Sequence, residues 1–192
     1  MSLSGQKSMF PPPDFRLQGR QEGRSQPMLT TPPFRFDDKK AVEIILYIAT
    51  RVPEPDRLHI NKIVYTADRY HLASYGRFTC GDKYRSMDKG AVPSGIYDFL
   101  KGNRDTVDRS FTREGNRIKP KRDANTDLLS ESDIECLDRA IRELGSLETQ
   151  ELIEVCHDQA WHATGRNKMI SVEEIAKTLP NGAEIIGYLH SL

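Results

Sequence analysis

Cysteine is scarce and unpaired in this sequence. Cys80, Cys136 and Cys156 are an odd number, and no two form a CxxC pair, which argues against a disulfide framework or a zinc ribbon and fits a reducing compartment. No apolar run approaches the roughly 18 residues that cross a bilayer, and the N-terminus lacks the apolar core of about 7–15 residues that marks a secretory signal. The expectation is a soluble cytoplasmic protein without a membrane partner. No GxGxxG or GxxxxGK[ST] string is present, so a phosphate-cradling loop is not expected. A serine or cysteine nucleophile with motif quality is also missing. These absences lead to an expectation of no enzyme activity, no cofactor and no metal.

Net charge is absent too, but only in the sum. Residues 1–36 carry five basic and two acidic side chains, residues 37–122 eighteen and twelve, and residues 123–192 five and fourteen. A basic middle third could serve nucleic acid or an acidic partner. Its cations are interspersed with carboxylates, however, and only Lys119–Arg122 is dense. The simpler reading is that the two halves pack together and neutralise each other.

What is present begins with proline. Six of the eleven prolines lie in residues 1–33, among Gly, Ser and Gln with few aliphatic residues. Such a segment buries too little apolar area to offset chain entropy, so residues 1–34 are expected to form a flexible leader. Residues 35–192 then form one α+β domain, mainly helical, with a small antiparallel β-hairpin or sheet. A domain of about 150 residues buries roughly 68–70% of its unfolded surface and needs no covalent staples.

Periodicity places the helices. Asp37 is a good N-cap for a helix whose buried stripe is Ala41, Ile44, Ile45, Ile48 and Val52, ended by Pro53 and Pro55. A second helix puts Ile60, Ile63, Val64, Ala67 and His71 on one face and stops at Gly76. Residues 77–88 carry Phe78, Tyr84 and Met87 around Gly81 and favour an extended, partly paired segment. A third helix runs from Pro93 to about Leu100, closed by Gly102. Val107–Arg113 and Asn116–Lys121 flank a turn and predict a hairpin, with Pro120 restricting its second strand to an edge or an early end. Ser130 with Asp133, and later Ser171 with Glu174, predict capped helices. A helix is expected from Thr149 to Trp161, with Leu152, Ile153, Cys156 and Ala160 inward, and a short amphipathic piece from Ala183 to Leu189.

Three groups of residues invite chemistry. Asp68, His71 and Tyr75 share a helical face, and a carboxylate that fixes an imidazole is half of an acid–base pair. With no nucleophile to serve, a structural histidine bonded to a carboxylate is the better reading. Cys156, His157 and Asp158 offer metal ligands, but neighbours on a helix point about 100° apart, so Cys156 reads as core. His157 and Trp161 form an i, i+4 pair suited to a stacked clamp. Finally, Ser171–Leu189 has the outline of a helix-turn-helix, whose second helix has no Arg or Lys for phosphates.

The central strings resemble the Panacea domain, the SocA-like antitoxin family also described as phage-associated and GepA-like. The matching residues are Lys62-Ile63-Val64-Tyr65, Ala67-Asp68-Arg69, His71-Leu72 and Tyr75-Gly76-Arg77, then Gly81-Asp82 with Tyr84. Gly90, Val92-Pro93-Ser94, Tyr97-Asp98 and Leu100 follow, and His157 with Trp161 resembles the family's H…W element. The resemblance covers about residues 35–180. Ala91 and Ala160 depart from it, standing where the family often has proline.

The resemblance implies an antitoxin that binds and neutralises a toxin encoded beside it, in one branch as an adaptor to an ATP-dependent protease. It implies no catalysis. Asp68, His71, Tyr84, His157 and Trp161 are the candidate partner-binding or surface-shaping residues. The alternative from another class is a DNA-binding transcriptional regulator using the basic middle third, although nucleic acid is not the favoured partner. A hydrolase or nuclease built on Asp68, His71 and His157 is the third.

Overall fold

The computed structural model describes residues 33–104 and 110–192. Helix α1 (Asp38–Ala49) starts where Asp37 accepts the Lys40 N–H at 3.0 Å. Every residue from Ala41 to Ala49 is buried, so the helix is covered on all sides and not along one stripe. Its one buried acid, Glu43, is matched by two Arg122 nitrogens at 2.6 and 2.8 Å and by the Asn125 N–H at 2.7 Å.

Helix α2 (Arg57–Tyr75) is the axis of the molecule. Asp56 caps its start by accepting the His59 N–H, and Gly76 ends it in a left-handed conformation at φ 68°. A Cβ at Gly76 would also lie 2.6 Å from the Tyr188 ring, so both backbone and space demand glycine there. One side of α2 (Ile60, Ile63, Val64, Ala67) joins a core with α1, with Cys136, Leu137, Ala140 and Leu144, and with Phe111 and Ile118. The other (Tyr65, Leu72) joins a second core with Phe78, Tyr84, Val172, Ile175 and Leu189. The expected stripe is therefore half of what α2 buries.

Strands β1 (Tyr84–Met87) and β2 (Gly90–Pro93) form an antiparallel hairpin that pairs Tyr84 with Pro93 and Met87 with Gly90. Helix α3 (Ser94–Lys101) follows directly and ends at Gly102. Strands β3 (Phe111–Glu114) and β4 (Arg117–Pro120) form the expected second hairpin, with β4 ending at Pro120. The leader up to residue 32 and Val107–Arg109 lie outside the described residues. Phe34, at the leader's end, meets Phe78 edge to face at 5.9 Å.

After a 3-10 turn at Thr126–Leu128, α4 (Glu131–Leu144) opens with the expected Ser130–Asp133 capping box and packs along α2. The predicted Thr149–Trp161 helix is two. Helix α5 (Thr149–Val155) stops at Cys156, and α6 (Gln159–Ala163) restarts with Asp158 accepting the Trp161 N–H at 3.0 Å. Ile153, expected inward, is only half-buried. Strand β5 (Met169–Ile170) adds to β1, giving the order β2-β1-β5. Helices α7 (Val172–Lys177), capped by Ser171, and α8 (Gly182–Leu189) close the second core.

The basic and acidic halves do meet. Lys40 and Arg77 reach Asp133, Arg69 reaches Asp158, and Asp88 reaches Arg166 across the divide. No described helix is long and apolar enough to cross a membrane.

Candidate functional site

Asp68 does not hold His71. Its carboxylate is fully buried and accepts the Thr79 N–H at 2.7 Å, the Thr79 hydroxyl at 2.6 Å and the Tyr84 hydroxyl at 2.7 Å. Burial pushes this carboxyl above its ordinary range, against the three donors that favour the charged form. Tyr84 is raised well above the usual phenol value by its own burial and by Asp68. The three residues tie α2 to the loop after Gly76 and to β1, and none is more than 2% exposed.

His71 turns the other way. Its Nδ1 lies 2.9 Å from the Arg77 carbonyl, and its Nε2 lies 3.0 Å from the Ser132 hydroxyl and 3.2 Å from Asp133. The carboxylate beside this histidine thus comes from α4, sixty-two positions away and beyond any helical spacing. Burial alone would raise Asp133. Hydrogen bonds with His71, Lys40 and Ser130 outweigh it and hold the carboxyl well below the usual carboxylate range. Tyr75, the third member of the expected face, is exposed and donates to Glu135 at 2.8 Å.

His157 and Trp161 form the expected clamp, although the helix between them is broken. Their rings stack at 3.9 Å with 5° between planes. The Trp161 Nε1–H donates to the Met87 carbonyl at 2.9 Å, and the backbone of Asp88 bonds the His157 ring. Both ends of the stack thus grip the turn between β1 and β2. Beneath it lies Lys62, fully buried, with its ammonium on the Ala91 carbonyl at 3.1 Å. A Cβ on Gly90 would sit 2.5 Å from the Lys62 Nζ, 3.1 Å from the Cys156 carbonyl and 3.3 Å from the His157 ring. Only glycine lets the turn come this close, and φ at Gly90 is +101°.

Burial pushes Lys62 down to about 8, partly offset by Cys156 and Asp158. It also lowers His157, helped by the nearby Lys62, and raises the Cys156 thiol. The His157 Nε2 is buried without a partner. Cys156 and His157 do not combine with Asp158 as ligands: among the described residues no group of three His, Cys, Asp or Glu could hold a metal ion. Asp158 instead receives the Tyr65 hydroxyl at 2.7 Å and caps α6.

Sequence reasoning missed two residues. Asp82 is buried and accepts the N–H groups of Lys83, Gly95 and Ile96 at 2.7, 2.8 and 2.9 Å. It thereby caps α3 from beyond the hairpin, in place of Pro93, the local N-cap, whose ring has no polar atom to offer. Burial pushes this carboxyl up to about 6 despite its backbone donors. Lys62 is the other. It opens the recognised string, and an ionisable residue within a run of buried positions was the available signal.

An open groove of about 430 Å³ lies against the clamp, lined by Met87, Asp88, Trp161, His162, Thr164 and Arg166. What the geometry defines is a mixed α+β domain whose motif carboxylates are spent inside the fold and whose β1–β2 turn is gripped at the surface. The chain belongs to the family described as antitoxin SocA-like, Panacea domain, whose sequence model matches residues 60–162. That span begins in α2 and ends in α6, so it contains the buried Asp68 centre, the hairpin and the clamp. An antitoxin's kind of partner is a toxin. No curated protein and no solved structure matches the chain.

Proposed function

We propose that this chain is an antitoxin that neutralises a toxin encoded beside it by direct binding, without catalysis. The observation that carries the reading is the family match over residues 60–162, the span that builds the clamped hairpin. The fate of the motif's polar groups supports it. Asp68, His71 and Tyr84 are 0%, 0% and 1% exposed, so none can touch a partner or a substrate. Their role is to set the shape of the surface, and His157 with Trp161 is the part of the motif that reaches it.

The DNA-binding alternative rests on the basic middle third, and there Lys40, Arg69 and Arg77 are drawn onto Asp133 and Asp158 of the acidic third. In the helix-turn-helix outline, α8 contains no cation, and Lys177, the one in α7, pairs with Glu174. Delivery of the bound toxin to an ATP-dependent protease is an extension of the same function, and it requires toxin turnover to rise when the antitoxin is present.

The decisive experiment expresses the neighbouring reading frame alone and together with this chain. Growth arrest by the neighbour, relieved by co-expression and accompanied by co-purification, is the expected result. A harmless neighbour, or arrest that this chain leaves unrelieved, overturns the reading.

A further inference from the structure

The groove beside the clamp differs in charge from the part of the sequence that supplies half of it. Residues 123–192 hold fourteen acidic and five basic side chains, yet the stretch 161–169 contains two of those five cations, Arg166 and Lys168, and no carboxylate. Facing it across the β1–β5 pairing, residues 85–89 add Arg85 and Lys89 against Asp88 alone. Arg85 reaches across to the Asn167 carbonyl at 2.9 Å, and the Ser86 N–H donates to the Lys168 carbonyl, so the two stretches form one continuous surface. Arg85, Asp88, Lys89, Arg166 and Lys168 are all exposed, four cations to one carboxylate. The one carboxylate is already paired, with Arg166 at 2.6 Å.

Apolar side chains lie beside these cations. Met87 and Trp161 line the groove, and Met169, the cross-strand partner of Arg85, is 37% exposed. Trp161 is held by its stack on His157 and its bond to Met87, so little side-chain freedom remains to be lost when something packs on it. A rigid aromatic centre with a charged rim is the arrangement that gives protein interfaces their affinity and their orientation.

Resting on the antitoxin reading, we infer that this groove is where the toxin docks, through an acidic segment that places an apolar side chain against Trp161 and Met87. Charge complementarity selects this occupant. The chain's own residues 1–32 carry four basic and two acidic side chains and would be repelled. A second copy offering its acidic helices, or nucleic acid on the cations, are the competing occupants.

The test uses Lys89→Glu/Lys168→Glu. Neither side chain makes a side-chain hydrogen bond or ion pair within the described residues, so the double variant should melt with wild type. Arg142→Glu, an exposed cation of α4 outside the groove, is the control. Binding of the purified product of the neighbouring reading frame is measured by calorimetry at low and high salt, alongside growth rescue. The expected result is binding that weakens with salt, falls about tenfold or more in the double variant and is unchanged in the control.

Equal binding by all three proteins overturns the docking face while leaving the antitoxin reading intact. Absence of binding and rescue by the wild-type chain removes both. A salt-sensitive dimer of the chain alone that the double variant disperses, or DNA retention that it abolishes with toxin binding unchanged, assigns the cations to another occupant and overturns the inference.

Discussion

Lys62 is an amine held inside the fold. A fully buried amine with no carboxylate in bonding distance favours its neutral form, which is why it sits near 8 and not at its ordinary value. A base whose folded value is depressed contributes stability that is present above its unfolded value of about 10.4 and is lost as pH falls through about 8. Lys62→Met removes that loss. Urea unfolding across pH 7–10.5 should show the variant gaining on wild type by up to about 3 kcal/mol at pH 7, less the lost Ala91 bond. The gain should shrink as pH rises above 8. A pH-independent difference would show that Lys62 is not desolvated as described.

Asp68 makes the opposite demand, since its partners need it. Asp68→Ala leaves the Thr79 N–H, the Thr79 hydroxyl and the Tyr84 hydroxyl buried and unbonded, a loss of about 3 kcal/mol or more. Asp68→Asn keeps one acceptor and should cost less. Equal midpoints in denaturant for the two variants would contradict the network. His157→Ala removes one face of the packing around Trp161, the only tryptophan. Its emission should move to longer wavelength, with about 1 kcal/mol lost.

Among the elements, those with local start and stop signals were legible in the sequence. Asp37, Ser130 and Ser171 accept N–H groups three residues on, and Gly76 and Gly102 occupy left-handed positions at helix ends. Strands β2 and β5 were not legible. They are four and two residues long and exist because β1 lies between them, a fact carried by pairing and not by pattern. The α5–α6 break was hidden because Cys156, His157 and Asp158 fit a helix as well as a cap. Only the bond from the Trp161 N–H to Asp158 settles it. The Asp68–His71 pairing failed for a related reason: spacing predicts a shared face, while the carboxylate that meets His71 comes from α4.

Asp82 does for α3 what those local caps do for other helices. Its carboxyl is raised to about 6, so the stability it contributes is complete below about pH 4 and is lost as pH rises to 6. Asp82→Asn should flatten that slope in thermal melts between pH 4 and 7. An unchanged slope would place the titration elsewhere.

For the whole molecule, neutrality is built from contacts between halves of opposite charge. Asp133 is the junction, since Lys40, His71 and Arg77 all converge on it from the basic half. Asp133→Ala leaves the buried His71 and the partly exposed Lys40 and Arg77 without their anion and should cost about 3 kcal/mol, the low end for a buried pair. Its depressed carboxyl contributes stability present above the ordinary value of about 4 and lost as pH falls below it. Because the carboxylate is buried, added salt should change the loss little. A loss that vanished in salt would mark the junction as a surface pair.

The cap of α3 sets an order of assembly. Its carboxylate arrives from thirteen residues upstream, on the far side of the β1–β2 turn. A peptide of residues 94–102 would lack its start signal and stay unwound in water. The helix can be initiated only once the chain has doubled back through the hairpin, so the two elements should appear in the same kinetic phase of refolding.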